Sequence, residues 1–304
     1  MRRRWLHALF TLVLMTGGLA AAPAINQAPT ADRPPGSRHF VWRVSKAARP
    51  VAWLVGSVHV LKADAYPLPE LFQQAFRESG VLIEEVDLGQ ATDPAAMMPA
   101  VTKGLLRADQ SLSALLDAST YQLVEQKAAV AGVPMIVLDR LKPWMAAMTL
   151  AAPALQRAGF DPSLGIDQHF YDRAKAARRP VRGLETLAYQ IDRLDGLPVQ
   201  VQVEMLRAVL ADVDAQVTAV ADVIAAWRAG DVAALERTLL QEFRASPEVY
   251  RRLVVERNQA WLQQIAACVT ETAPCLVVVG GAHLVGPDSV VALLRRSGFT
   301  VEQQ

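Results

Sequence analysis

Two stretches of this chain share one pattern. Val51 to His59 reads VAWLVGSVH and Leu276 to His283 reads LVVVGGAH, each an apolar run closed by Gly-x-x-His. Runs rich in β-branched residues predict buried strands, and the glycine marks a sharp turn or a close backbone approach where the strand ends. Each histidine then falls on the loop leaving the C-terminal end of its strand, where open α/β sheets place their ligands. With only five histidines in 304 residues, the repeat is a strong constraint. The two strands belong in one sheet, and the chain between them must bring their ends together.

The flanking residues extend each stretch into a unit. His39 to Ser45 alternates apolar and polar residues and precedes Val51 to Val55 as a hairpin partner. Glu70 to Ser79 is an amphipathic helix, and Val81 to Val86 a second strand, so this region is a βαβ unit whose crossover is right-handed if its strands are parallel. Near the other end, strand Leu276 to Val279, helix Pro287 to Ser297 and strand Phe299 to Val301 repeat the order. Between them the pattern is helical: Ser111 to Ala131, Pro143 to Ala158, Gly165 to Ala177, Glu185 to Leu194, Pro198 to Trp227, Asp231 to Arg244 and Pro247 to Thr270. Val133 to Leu138 reads as either a short strand or a helix start, and Arg179 to Leu184 as a short strand. No repeat of solenoid length is present. The expected fold is α/β (α+β): a mixed central sheet built from two sequence-distant βαβ-like units, with a helical insertion over about residues 92–270, in one domain spanning 38–304.

The amino terminus carries a different signal. Arg2 to Arg4, the apolar run Trp5 to Met15 and the small residues Gly17 to Ala24 describe a secretory signal peptide over residues 1–24. The apolar run is shorter than the ~20 residues that usually cross a bilayer, so the mature chain is expected to lack a transmembrane anchor and to be periplasmic or secreted. Residues 25–37 read as a flexible Pro-rich leader. In an oxidising compartment Cys268 and Cys275 suit a structural disulfide. A net charge of +1 offers no global attraction for nucleic acid.

The candidate chemistry centres on His59 and His283, each able to ligate a metal or act as a base near neutral pH. Glu85, at the end of a neighbouring strand, completes a two-His, one-carboxylate set suited to a hydrolytic metal with open positions. Strand alternation sends Glu85 and Asp87 to one side and Glu84 to the other. Arg257 and Asn258, in VVERNQAW, suggest an anion or oxyanion clamp and an orienting donor. Glu185 is a candidate second carboxylate behind a ligating histidine. His169 reads as structural, and His39 is assigned nothing. There is no His-Glu-x-x-His, no Gly-x-Ser-x-Gly, no phosphate-binding loop and no dinucleotide fingerprint.

The segments GSVHVLKADAYPLPELFQQAF, EEVDL, KPWMAAM, GIDQHFYDRAKAARRPVRGLET with Gln190 downstream, ERNQAW and VVVGGAHLVGPDSVVALLRRSGFTVE together resemble the TraB/GumN family, from about Trp42 to Val301. That resemblance implies a relationship to Tiki-type metalloproteases, with their two Gly-x-x-His motifs falling on His59 and His283 and their acidic residue on Glu85. It implies a divalent metal held by these three residues, manganese or cobalt before zinc, and a peptide or protein substrate. The wider group is similar to erythromycin-esterase and ChaN-like folds, some of which use His and Glu on water without a catalytic metal. A metal-independent esterase- or amidase-like hydrolase and a non-catalytic peptide-binding protein are therefore the alternatives.

Overall fold

The computed structural model describes residues 38–46, 49–211, 213–243, 246–269 and 274–304. The signal-peptide and leader expectations lie outside these residues.

Six strands form one mixed sheet: β1 (Val41–Lys46), β2 (Arg49–Ser57), β3 (Val81–Glu84), β4 (Val181–Gly183), β5 (Cys275–Gly280) and β6 (Thr300–Gln303), in the order β4-β3-β5-β2-β1-β6. The hairpin is present as expected, with β1 antiparallel to β2 and Val41 opposite Val55. β6 adds antiparallel to the outer side of β1. β5 runs parallel between β2 and β3, with Val277 beside both Leu54 and Ile83. The two strands of the first βαβ unit are thus separated by a strand from the far end of the chain. β5 is buried along its whole length, which is why it reads as a continuous apolar run instead of an alternating one.

The principal helices among the described residues are α1 (Glu70–Arg77), α2 (Pro94–Gly104), α3 (Ala118–Ala131), α4 (Pro143–Arg157), α5 (Ile166–Ala176), α6 (Leu187–Asp195), α7 (Val199–Ala211), α8 (Val213–Ala229), α9 (Val232–Phe243), α10 (Glu256–Cys268) and α11 (Val290–Arg296). Their boundaries follow local chemistry. Asp117 caps α3 through Thr120 N–H, Gly132 closes it with φ of 71°, and Thr186 caps α6 through Tyr189 N–H.

Pro198 to Trp227, read as one helix, is helical as α7 and α8 on either side of residue 212, which lies outside the described residues; α7 packs on α4 and α3, and α8 chiefly on α9. Two sequence expectations change. Ser111 to Ala131 divides at Asp117, which leaves the helix to cap α3. Pro247 to Thr270 is a short helix, a π turn over Arg251–Val255 and then α10. The ambiguous Val133 to Leu138 is a helical turn, Met135–Leu138, started after Pro134. No described helix is long and apolar enough to cross a membrane.

Candidate active site

The C-terminal ends of β2, β3 and β5 lie side by side, and the residues that follow them form a buried polar cluster. His59, Glu85, Arg257, Asn258 and His283 are each 5% exposed or less. Polar groups buried to this degree persist only when their hydrogen bonds are made internally, and nearly all of them are.

Glu85 Oε1 accepts from the Gly280 N–H at 2.7 Å, and Oε2 accepts from Arg257 Nη2 at 2.5 Å and from Gln190 Nε2 at 3.2 Å. Burial alone would raise this carboxyl, but the adjoining guanidinium outweighs it, and Glu85 is held down at about 2. Arg257 also donates through Nε and Nη2 to Glu185, through Nη1 to the Leu253 carbonyl, and through Nη1 to His283 Nε2 at 3.1 Å. Each of its N–H groups is spent on the protein. The expected oxyanion clamp is therefore, in this arrangement, the tie between two buried glutamates and a histidine.

His283 is fixed from its other nitrogen as well. Nδ1 lies 2.6 Å from Asn258 Oδ1, while Asn258 Nδ2 donates to the Asp288 carbonyl at 2.9 Å. Because the amide oxygen can only accept, Nδ1 carries the proton and Nε2 presents a lone pair to Arg257. Burial, with the Arg257 charge beside it, depresses this imidazole to about 3, so it is neutral at physiological pH. Trp261 packs on the ring at 4.5 Å between centroids and donates Nε1 to Glu185. Glu185, expected behind a histidine, stands behind Arg257 instead.

His59 has the complementary arrangement. Its Nδ1 is 2.7 Å from Asp167 Oδ2, and its Nε2 is buried without any partner. Burial by itself would lower this imidazole, but the Asp167 carboxylate more than compensates and brings it to about 8. Asp167 lies in the first turn of α5, where the helix dipole favours a negative charge. The helix is set against the His59 loop by Gly165: a Cβ there would lie 2.5 Å from the His59 carbonyl oxygen. Ile166 N–H donates to the Val58 carbonyl at 3.1 Å, closing that contact.

The three predicted ligands meet at Gly280. A methyl group placed on its Cα would lie 3.1 Å from Glu85 Oε1, 3.6 Å from His283 Cδ2 and 3.6 Å from His59 Nε2. This small gap is what a side chain there would fill. His59 Nε2 and the spare lone pairs of Glu85 Oε1 face it, whereas His283 Nε2 is engaged by Arg257. As the side chains stand, no trio of His, Cys, Asp or Glu donors among the described residues closes on a single ion. Glu85 and Glu185 flank the Arg257 guanidinium, while Asp167 is paired with His59.

Consecutive glutamates on β3 have opposite fates. Glu84 faces away from Gly280, is 1% exposed, and neither carboxyl oxygen has a hydrogen-bond partner. Burial, followed by the negative charge of Asp167, Asp87 and Asp172, pushes it well above the usual carboxylate range. Glu85 is therefore the ionised member of the pair. Asp87 lies outside the cluster and caps the following turn through Gly89 N–H at 2.9 Å. His169 packs between Tyr66 and Phe170 and is depressed by burial to about 4, consistent with a structural role.

Sequence reasoning passed over Asp167 and Gln190 as site residues. An acid in a helix's first turn is ordinary, and only the fold across β3 and β5 shows whose side chain it meets. Cys268 and Cys275 are joined in a disulfide that ties the end of α10 to the start of β5.

The model of the TraB/PrgY/gumN family matches residues 40–303. The chain is similar to the uncharacterized protein YbaP of Escherichia coli strain K12, 26% identical over 261 residues, covering 86% of this chain and 89% of that one. YbaP of Shigella flexneri is 25% identical over 260 residues, covering 84% of this chain and 94% of its own. No solved structure matches.

Proposed function

The chain belongs to the TraB/PrgY/gumN family, and on that premise we propose that it is a hydrolase, most readily a peptidase, whose water-activating centre is the gap between His59, Glu85 and His283. One observation carries the reading: a buried, partnerless Nε2 on His59, backed by the Asp167 carboxylate and facing the same point as Glu85 Oε1. Metal-bound histidines characteristically donate their second nitrogen to a carboxylate or carbonyl oxygen, and both His59 and His283 have that second contact in place. His59, Glu85 and, on release from Arg257, His283 would hold a divalent cation, with manganese or cobalt preferred to zinc. A bound divalent ion lowers the pKa of water and polarises a carbonyl.

The chain's own residues supply the rest. Asp167 keeps one His59 proton on Nδ1, so the proton given up as pH rises through about 8 is the one on Nε2, which then serves as donor or base. Asn258 does the same for His283. Arg257 stays charged beside Glu85 and Glu185 and holds the Glu85 carboxylate against protonation. The apolar walls from β5 and Trp261 keep bulk water away from these charges. Periplasmic or secreted location follows from the signal-peptide pattern and belongs to this proposal.

A second reading is favoured by Arg257 itself, which already lies between Glu85 and His283 where a cation would be shared. In it the Asp167–His59 pair removes a proton from water directly, and the substrate is an ester or amide. Elemental analysis of protein purified from its native compartment, with hydrolysis of a peptide and ester panel before and after chelation, separates the two. Stoichiometric metal and chelator-sensitive turnover lost in His59→Ala support the first. Turnover unaffected by chelator but lost in His59→Ala supports the second. A chain that binds peptides without ever releasing cleaved product would refute both and leave a binding protein.

A further inference from the structure

The segment between α5 and β4 reads RAKAARRPVRG, Arg173 to Gly183, with five cations and no acid. None of this charge belongs to the site above. Among the described residues no carboxylate forms an ion pair with Arg173, Lys175, Arg178 or Arg179. Arg173 donates to Gln73, and Arg179 donates to the Phe76 and Ser79 carbonyls, where it caps the end of α1. Both guanidinium carbons lie 4.1 Å from the centroid of the Phe76 ring. Arg77, next in sequence to that ring, is paired with Glu70 on the surface. Lys175, Arg178 and Arg182 are exposed.

Arg178 is the informative residue. It is the only non-glycine with positive φ among the described residues, at 53°, in the position that closes α5. Five other positive-φ positions hold glycine, two of them, Gly132 and Gly298, with nothing near a would-be Cβ. Glycine at such a position relieves the left-handed penalty that an arginine bears there. An arginine in that strained position, beside Lys175 and Arg179, neither of which is paired with a carboxylate among the described residues, is better explained by what its charge meets than by folding.

Topology says where this patch points. Arg173 to Pro180 precede β4, at the ends where the parallel strands begin, with Leu82 paired to Val181 and Val81 to Cys275. The candidate site lies at the opposite ends of the same strands. The cations are spread over an exposed surface rather than gathered into a cavity, which suits an extended anionic plane more than one small anion. Near-neutral net charge makes the attraction local to this face.

We propose that Arg173 to Arg179 forms a docking face for an anionic lipid surface, with phosphate headgroups as the ligand chemistry, so that the bound protein presents the His59–Glu85–His283 end away from the membrane. The export signal expected at the amino terminus places the chain beside lipid, which favours this over a polynucleotide.

The test is co-sedimentation of the full chain with phosphatidylcholine vesicles, with and without phosphatidylglycerol, for the wild type and for Lys175→Gln, Arg178→Gly and Arg107→Ala. Binding that requires phosphatidylglycerol, weakens with salt and falls roughly fivefold for each of Lys175→Gln and Arg178→Gly is the expected result. Arg107→Ala, elsewhere on the surface, should bind as the wild type. Arg178→Gly should raise the melting temperature while lowering binding, a combination that a folding role for the side chain does not produce. Equal binding to neutral vesicles, or wild-type affinity in both charge variants, would overturn the proposal. So would displacement by millimolar inorganic phosphate, which would mark a small-anion pocket, or tighter binding to a single-stranded oligonucleotide than to the vesicles.

Discussion

His59 and Asp167 are 108 residues apart in sequence and joined by a hydrogen bond of 2.7 Å that leaves His59 Nε2 buried and unpartnered. A metal must compete with a proton for that nitrogen. Because the His59 imidazole is raised to about 8, divalent-ion affinity should climb about tenfold per pH unit up to that point and then level off. Calorimetric titration with manganese at several pH values checks this. Asp167→Asn removes the carboxylate that raises the imidazole, so its plateau should begin at lower pH and its maximum affinity should fall by about 10–100-fold.

Gly280→Ala puts a methyl group into the space shared by the three candidate ligands, 3.1 Å from Glu85 Oε1. Hydrolysis and metal uptake should be lost, and the melting temperature should fall while the chain still folds, because the methyl is tighter against Glu85 Oε1 than an ordinary packing contact. Unchanged turnover in a folded Gly280→Ala protein would place the chemistry elsewhere.

Glu84 and Glu85 should separate cleanly. Glu85→Gln removes a charge that Arg257 compensates, and should abolish activity and cost about 3–5 kcal/mol of stability. Glu84→Leu removes a buried carboxyl with no partner, and should leave activity intact and raise stability. Since the folded Glu84 carboxyl is raised above its unfolded value, wild-type stability falls as pH rises past the ordinary carboxylate range. The stability gained by Glu84→Leu should therefore grow with pH above about 4.5, as urea melts at successive pH values will show.

His283 predicts the acid limb. Its imidazole is neutral in the fold and depressed to about 3, so the unfolded chain binds the proton first. Stability should decline as pH falls from about 6.5 toward 3. The depressed Glu85 carboxyl adds to the loss between about 4.5 and 2. His59, raised instead, works the other way and contributes stability below about 6.5 that is lost as pH rises through about 8.

The disulfide joins the helix carrying Arg257 and Asn258 to the strand leading to His283. Replacing Cys268 and Cys275 by serine should cost about 2–3 kcal/mol for so short a loop. The melting temperature should drop by several degrees, with a matching drop when the wild type is melted in reductant.

The sequence by itself determined the strands, since an apolar run ending in Gly-x-x-His has few other readings, and it determined that His59, Glu85 and His283 would lie at strand ends. Periodicity is local, so it also located most helices of the insertion. It did not mark the division at Asp117, because an aspartate is as ordinary on a helix surface as at the cap it forms for α3. Only the tertiary structure decided that β5 enters between β2 and β3, setting His283 between the other two candidates. Only the tertiary structure paired His59 with Asp167 and tied Arg257 to Glu85, Glu185 and His283 at once. The reason is physical: a buried charge takes its meaning from the groups it touches, and those contacts span tens to hundreds of residues that no local pattern connects.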